Sequence, residues 1–166
     1  FPAMVGLVRD RGGKPTALHR TFLDPDGPGK ADVESPKMFL GPVGGGAVRL
    51  MLLDEEELNL AEGIETTLAI GEATGVPTWA VLSKGGFKNF EPPSGLKKLN
   101  IFADRDPDGG GEEAAREGAQ TLAAKGIEVS LVLPAGTVPN GGKGIDFLDI
   151  LLDQGPEAVR AALEMA

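Results

Sequence analysis

An apolar run that ends in two closely spaced carboxylates is the feature that most constrains the fold of this chain. The run covers residues 99–103 and leads directly into Asp104, Arg105 and Asp106. Because side chains alternate between the two faces of a strand, Asp104 and Asp106 would project the same way and could share a cation. A glycine-rich turn, residues 107–111, then ends the strand before a predicted helix. The two acids therefore fall at the carboxyl end of a strand, where open α/β sheets bind their ligands.

Strands and helices alternate along the chain after residue 46. In the first predicted helix, Ile64 and Leu68 are expected to face the core, and Gly75 ends the helix. Alternation of this kind favours an α/β fold with a mostly parallel sheet that is flanked by helices. The predicted strands are 47–52, 57–61, 78–82, 99–103 and 128–133, and the predicted helices are 64–73, 112–125, 145–152 and 156–165.

The first 46 residues have a different pattern. Two β-rich runs, at residues 3–9 and 16–23, flank a turn with two glycines and predict an antiparallel β hairpin. Residues 24–37 are dense in turn formers and predict a long loop, and the glycines of residues 41–46 predict a linker. We therefore predict two parts, which are a hairpin and loop subdomain at residues 1–46 and a main α/β domain at residues 47–166.

The composition limits the classes of protein to which this chain can belong. It has no cysteine, which excludes disulfides and thiolate zinc sites, and no apolar run approaches the roughly 18 residues that predict a membrane span. With no signal-peptide pattern, we expect a soluble cytoplasmic protein. The net charge of −9 argues against nonspecific coating of nucleic acid. The chain begins at Phe1 without an initiator methionine, so we expect it to be one domain of a longer protein.

Two more acids fall at junctions that a parallel sheet would bring to the same edge. Glu62 follows the second predicted strand of the main domain, and Asp146 follows a glycine-rich loop, residues 136–144, at the start of a helix. An N-cap is the alternative role of Asp146, because aspartate is favoured there. Carboxylate oxygens suit Mg²⁺, which uses few protein ligands and keeps several waters. With Asp104 and Asp106, these residues predict a magnesium site.

The order of these motifs resembles that of the Toprim domain, which primases, topoisomerases and some nucleases share. In detail the chain resembles the primase-like proteins of phages, plasmids and mobile elements, over nearly its whole length. The resemblance implies a Rossmann-like Toprim catalytic domain at residues 47–166, with the antiparallel hairpin as a small N-terminal subdomain. The segments that carry it are His19-Arg20-Thr21, Asp24-Pro25-Asp26-Gly27, Glu62-Gly63-Ile64-Glu65-Thr66, Asp104-Arg105-Asp106 and Lys143-Gly144-Ile145-Asp146-Phe147-Leu148-Asp149.

The resemblance also implies an activity. Toprim primases are Mg²⁺-dependent nucleotidyltransferases that make short primers from nucleoside triphosphates on single-stranded DNA, and Mn²⁺ is an alternative cation. By this resemblance Glu62 is a catalytic acid or base, or a metal ligand. Asp104 and Asp106 are catalytic residues that ligate the metal, and Asp146 is a further metal ligand. In the full-length protein, a helicase or a zinc-binding module is an expected partner, and no membrane is involved.

One departure from the family pattern concerns the second cation. Thr66 stands four residues after Glu62, where the primase motif often has an aspartate. A second cation, where present, would therefore depend on Glu65, Asp108 or Asp146. For this reason we do not expect a full two-metal geometry in the free protein.

Positive side chains near the motifs are candidates for binding the triphosphate or the template. Lys84 lies in a predicted glycine turn, residues 83–86, after the strand at 78–82. Lys30 and Lys37 of the long loop could meet phosphate, although a solvated position is the commoner one for lysine. Arg105 is expected to face away from the acids on either side of it. The candidates for nucleotide or nucleic-acid binding are Arg20, Lys30, Lys84 and Lys143.

Two other functions remain open from the sequence. The same carboxylates could activate water in a metal-dependent nuclease, with His19, the only histidine, as a helper. Alternatively, the chain is a noncatalytic module that binds nucleic acid or protein within a replication protein. The acidic net charge and Thr66 favour that module, whereas the retained Glu62, Asp104 and Asp106 favour an enzyme.

Overall fold

A mixed sheet of eight strands forms the centre of the computed structural model, which describes residues 1–53, 56–138 and 142–166. Residues 139–141 of the predicted glycine-rich loop lie outside the described residues. The strands are β1 (Ala3–Arg9), β2 (Pro15–Phe22), β3 (Lys37–Leu40), β4 (Ala47–Arg49), β5 (Glu57–Ala61), β6 (Thr78–Ala80), β7 (Lys98–Phe102) and β8 (Glu128–Val132). The helices are α1 (Ile64–Thr74), α2 (Lys84–Asn89), α3 (Gly110–Ala123), α4 (Phe147–Gln154) and α5 (Pro156–Glu164).

The strand order is β3-β2-β1-β4-β6-β5-β7-β8. The four strands from β6 to β8 are parallel to one another, and the remaining neighbours are antiparallel. The predicted α/β class is therefore confirmed, with a parallel core and antiparallel strands in a single sheet. The predicted hairpin is β1 and β2, and it continues the same sheet because Val8 of β1 and Ala80 of β6 both pair with Val48 of β4.

Helices cover both faces of the parallel core. On one face, Leu60 and Ile101 pack with Phe87 of α2 and Leu122 of α3. On the other face, alternate positions of the same strands pack against α1, α4 and α5, as Phe102 does against Phe147 with ring centroids 4.9 Å apart. None of the helices in the described ranges is long and apolar enough to cross a bilayer.

A buried polar network lies within the sheet on the α1 side. Asn59 of β5 donates to the hydroxyls of Thr74 and Thr78, and Asn100 of β7 donates to Asn59 Oδ1 and to Glu57 Oε1. Both asparagines are fully buried. These bonds fix the register of β5 against its two neighbours, because a shift of one residue would leave the buried amides without partners.

Helix α2 replaces the glycine turn that the sequence predicted at residues 83–86. Ser83 caps the helix by accepting a hydrogen bond from the Gly86 amide at 3.2 Å. The glycines serve close packing here. A Cβ on Gly86 would lie 2.4 Å from the carbonyl of Val81, and one on Gly118 of α3 would lie 2.7 Å from Phe87 Cβ. The prediction failed because glycine spacing does not distinguish a turn from a close helix contact.

The predicted orientation of Leu68 is also wrong. Leu68 is 51% exposed, whereas Ile64, Thr67 and Gly71 are buried. Thr67 can face the core because its hydroxyl donates to the Gly63 carbonyl at 2.7 Å. The inward side of α1 therefore includes a self-satisfied threonine that an apolar pattern does not count. Strand β3, with all four residues exposed, was not predicted either.

Candidate functional site

The predicted acids emerge at the carboxyl edge of two adjacent parallel strands. Ala61 of β5 pairs with Phe102 of β7, so Glu62 and Asp104 follow the ends of neighbouring strands. The charge of Glu62 acts on Asp104, and the charge of Asp106 acts on both. The structure therefore brings Glu62, Asp104 and Asp106 together at one edge.

Asp104 is the most perturbed carboxylate of this edge. Burial is the main cause that raises its pKa to about 7, and repulsion from Asp146, Glu62 and Asp106 raises it further. Its Oδ1 atom is buried and has no hydrogen-bond partner among the described residues. The pKa of Glu62 is also raised, mainly by burial, with attraction from Lys84 opposing the shift. A positive charge close to these two carboxyl groups would favour their ionised forms.

Asp146 belongs to the same edge and also caps a helix. Its Oδ1 accepts the Asp149 amide at 2.9 Å at the start of α4. It also lines a cleft of about 240 Å³ together with Asp104, Asp106 and Lys143. Both roles anticipated from the sequence are thus compatible, because one oxygen of Asp146 caps the helix while the side chain remains at the cleft.

A short β bridge holds the loop before α4 against the end of β7. The backbone groups of Arg105 and Ile145 exchange two hydrogen bonds of 2.9 Å. Gly144 makes this approach possible, since a Cβ there would lie 2.9 Å from the Arg105 carbonyl and 3.3 Å from Asp106 Oδ1. The bridge joins two segments that are 40 positions apart in the sequence and brings Asp146 to the acids.

Arg105 points away from the acids, as expected. Its Nε donates to the Pro134 carbonyl at 3.1 Å, and a terminal nitrogen lies 4.0 Å from Glu112 Oε2. This prediction is confirmed. The guanidinium ties β7 to the segment after β8 and to α3, and it contributes no contact to the cleft.

Asp106 is held by a lysine and by the backbone of α3. Lys84 Nζ lies 2.6 Å from Asp106 Oδ2 and 3.9 Å from Asp108 Oδ1. The Gly111 amide donates to the same Oδ2 at 3.1 Å. The hydrogen bond to Asp106 is the main cause that raises the pKa of Lys84, so the ammonium stays charged.

The other predicted cations lie in three different environments. Lys143 is 82% exposed and pairs with Asp149 at 3.1 Å, beside the cleft. Lys30 pairs with Glu65 of α1 at 3.3 Å, and this contact attaches the long loop to the helix that follows Glu62. Arg20 lies over the Phe22 ring, with 5.8 Å from its guanidinium carbon to the ring centroid.

Lys37 is a further cation near the acids, and the sequence did not indicate that it lies there. Its charge opposes the raised pKa of both Glu62 and Asp104, so it lies within electrostatic reach of the acids. Lys37 begins β3 and pairs with Thr21 of β2. Because β3 was not predicted, no signal placed this lysine opposite the acids. The pairing of Lys37 with Thr21, next to Arg20, is set by the register of β3 against β2, which the sequence alone does not give.

His19 is a buried residue of β2. It is 3% exposed, its ring centroid lies 5.0 Å from that of Phe39, and its Nδ1 has no partner among the described residues. Burial and the charge of Lys37 lower its pKa, while Glu65 raises it. The role of His19 as a helper in a nuclease stays a prediction.

The acids converge without forming a closed metal cage. Within the described ranges, no three acidic or histidine side chains are already grouped as ligands for one ion. The unpartnered Oδ1 of Asp104 and the mutual repulsion of the acids fit a divalent cation, which would supply the missing positive charge. The residues that could hold it are Glu62, Asp104, Asp106 and Asp146.

Comparison with known families identifies the domain. Residues 57–157 match the model of the Toprim domain. The chain belongs to the Toprim family. Residues 1–50 match a second family, which is described as a domain of unknown function. No curated protein matches the chain significantly.

Solved primases have the same fold as this Toprim chain. The zinc-binding and RNA polymerase domains of Aquifex aeolicus primase match with a TM-score of 0.65 and 18% identity, over 98% of this chain and 40% of that one. A DNA primase domain from Pseudomonas aeruginosa matches with a TM-score of 0.60 and 18% identity, over 98% and 50%. A DnaG primase catalytic domain bound to single-stranded DNA matches with a TM-score of 0.56 and 16% identity, over 99% and 51%. The chain thus spans about half or less of the length of these primases.

Proposed function

We propose that this Toprim chain is the nucleotidyltransferase centre of a DNA primase, which joins nucleoside triphosphates into short primers on single-stranded DNA. The observation that carries the proposal is the convergence of Glu62, Asp104 and Asp106 at one strand edge, where Asp104 is partly buried and is repelled by its neighbours. Buried carboxylates in this state are typical of catalytic sites. The primase fold of the solved relatives supports the choice of reaction.

A divalent cation, which we propose to be Mg²⁺ with Mn²⁺ as a substitute, would be held by Asp104, Asp106 and Asp146. When bound, it supplies Lewis-acid charge that stabilises the transferring phosphoryl group. The role of Asp104 is to offer its unpartnered Oδ1. Asp146 contributes from α4 while its cap holds that helix in position. The cleft between these residues is open to a triphosphate.

Glu62 is the candidate for proton transfer. In primer extension the 3′ hydroxyl oxygen bonds to the α-phosphorus, the bond to the pyrophosphate breaks, and the hydroxyl proton must leave. A carboxylate with a raised pKa accepts that proton more readily than an ordinary one. The charge of Lys84 opposes this rise in the pKa of Glu62 and so favours its ionised form.

Cations around the edge would bind the phosphates and the template. Lys143 lies at the cleft and is mostly exposed, so it is available to the triphosphate. The charge of Lys37, on β3, acts on Asp104. Arg20 lies on the neighbouring strand β2, next to the residue that pairs with Lys37. Lys30 is engaged with Glu65, and we propose that it acts on nucleic acid only indirectly, by holding the long loop in place.

The proposed division at residue 46 assigns the cationic strands to the hairpin subdomain and the acids to the catalytic domain. The primases of known structure that match this chain are longer. We propose that a zinc-binding or helicase module of the full-length protein supplies further template contacts, since the chain covers only part of such primases. We also propose that the protein is a primase of the kind that phages, plasmids or mobile elements encode.

Incorporation of labelled nucleoside triphosphates on single-stranded DNA with Mg²⁺ tests the function. We expect short products from the wild type, and a loss of at least about a hundredfold in Asp104→Asn and Asp106→Asn. Asp153→Asn, at an exposed position of α4, is the matched control and should retain full activity. Unchanged synthesis by Asp104→Asn would overturn the proposal.

Incubation of labelled single-stranded DNA with Mg²⁺ and no nucleotides separates the competing functions. A primase leaves the DNA intact under these conditions. Cleavage that Asp104→Asn abolishes would instead identify a nuclease. Binding without synthesis or cleavage, unaffected by Asp104→Asn, would identify a noncatalytic module.

A further inference from the structure

The Lys84 ammonium occupies a defined position at the acidic edge. It lies 2.6 Å from Asp106 Oδ2 and 3.9 Å from Asp108 Oδ1, and it attracts Glu62 electrostatically. Its side chain is 42% exposed, so it is part of the surface that a substrate would meet. One ammonium thus serves three carboxylates, which is the task that a metal ion usually performs in such a cluster.

The backbone is shaped around this ammonium. Lys84 is the first residue of α2, which the Ser83 cap fixes to the end of β6. Gly110 begins α3, and a Cβ there would lie 2.9 Å from Lys84 Nζ. The Gly110 amide also donates to Asp108 Oδ1 at 3.0 Å, which orients that carboxylate toward the lysine. The absence of a side chain at Gly110, together with the carboxylates of Asp106 and Asp108, therefore leaves a site that fits one positive group.

Asp106 connects the ammonium to the cleft. Its Oδ2 is used by Lys84 and by the Gly111 amide, whereas the residue also lines the cleft with Asp104 and Asp146. Two-metal sites for phosphoryl transfer place two cations about 3.5–4 Å apart, commonly on a shared carboxylate. Asp106 is in the position of such a shared carboxylate, with an ammonium on one side.

Few other carboxylates are available for a second metal. Glu65 is engaged with Lys30, and residue 66 is a buried threonine. Asp108 is 77% exposed and already interacts with Lys84. Within the described residues, the acids beside Lys84 are therefore Glu62, Asp106 and Asp108, and the ammonium is their common cation.

We propose that the Lys84 ammonium takes the place of one of two divalent cations, so that this domain binds a single metal ion. The inference rests on the proposed function, because it assumes that the cleft acids hold a metal. Lys84 then supplies fixed positive charge and N–H donors to the phosphates, whereas a metal ion would first have to bind from solution. The position of the lysine at the start of a capped helix keeps that charge in place.

Counting bound Mn²⁺ by electron paramagnetic resonance tests the inference without relying on activity. We expect one Mn²⁺ per chain in the wild type. In Lys84→Met the three acids lose their common cation, and we expect two Mn²⁺ per chain. Lys84→Arg keeps the charge and should bind one. Lys88→Met is the matched control, because Lys88 lies on the same helix and pairs with Glu117, away from the acids.

The outcomes separate this inference from the proposed function. Two Mn²⁺ in the wild type, or one in a folded Lys84→Met, would overturn the role of Lys84 and leave the primase proposal standing. No Mn²⁺ in either protein would remove the metal centre and with it both proposals. Circular dichroism spectra that match the wild type establish that the variants are folded.

Discussion

Asp104 carries an electrostatic cost in the metal-free protein. Its pKa rises from the usual 3.8 to about 7, mainly through burial and then through Asp146, Glu62 and Asp106. A folded state that holds this proton more tightly than the unfolded state is most stable, in this respect, at acidic pH. That contribution is lost as the pH rises from about 4 to about 7. Above this window the fold bears the full cost of a partly buried carboxylate that its neighbours repel.

Replacing Asp104 by asparagine should therefore stabilise the metal-free protein. In the presence of a chelator at pH 8 we expect Asp104→Asn to raise the free energy of unfolding by about 1–3 kcal/mol, or Tm by several degrees. At pH 5 the gain should be much smaller, because the wild-type carboxyl group retains its proton. Thermal melts at both pH values measure the difference. Asp108→Asn is the control, and a lower Tm for Asp104→Asn at pH 8 would contradict the argument.

At the same scale, the sequence predicted which acids meet and named Lys84 and Lys143 as cations near them, but it did not predict the contacts that these cations make. Glu62, Asp104 and Asp106 were readable because each directly follows an apolar strand, and parallel strands end at one edge. The contact of Lys84 with Asp106 depends on the path of α2, and the approach of Lys37 depends on the register of β3. Such contacts are set by tertiary packing, and local patterns contain no information about them.

The pair of helices α2 and α3 determines where Lys84 lies. Gly118 of α3 faces Phe87 of α2, which is 1% exposed, and a Cβ on Gly118 would lie 2.7 Å from Phe87 Cβ and 2.9 Å from its carbonyl carbon. The two helices are therefore in backbone contact at this point. Lys84 lies one turn before Phe87, so any separation of the helices moves the ammonium away from Asp106.

We expect Gly118→Ala to separate the helices. The clash should cost about 1–3 kcal/mol of unfolding free energy, which exceeds the gain of about 1 kcal/mol that alanine brings to a helix. Gly85→Ala, in α2, is the matched control, since a Cβ there meets nothing within 4 Å. It should be neutral or slightly stabilising. Urea denaturation of both variants measures the effect, and equal stability of the two would contradict the close contact.

At the scale of the whole molecule, the hairpin and the Toprim domain share one sheet. Strand β4 pairs with β1 on one side and with β6 on the other. Beneath these strands, Val8 and Ala17 of the hairpin pack with Ile64 and Ala80 in one cluster. The two family matches divide the chain near residue 50, yet the sheet continues across that division. The sequence predicted each part separately, because the joining strand β4 is only three residues long and gives a weak pattern.

A core substitution in the hairpin should therefore destabilise the Toprim core as well. Val8 of β1 is fully buried, and we expect Val8→Ala to cost about 2 kcal/mol through lost burial and a residual cavity. The single tryptophan, Trp79 of β6, reports on the Toprim core, where it is 2% exposed. In urea, the fluorescence of Trp79 and the far-ultraviolet circular dichroism should shift together to a lower midpoint.

Val5→Ala is the matched control for this experiment. Val5 lies on the same strand but is 57% exposed, so its truncation should change stability by less than about 0.5 kcal/mol. A Val8→Ala protein in which Trp79 unfolds at the wild-type midpoint, while circular dichroism reports an earlier separate transition, would contradict a shared core. That result would support the predicted boundary at residue 46 as one between independently folding units. A common shift of both signals would mean that the cationic strands β2 and β3 keep their position opposite the acids only while the whole sheet is folded.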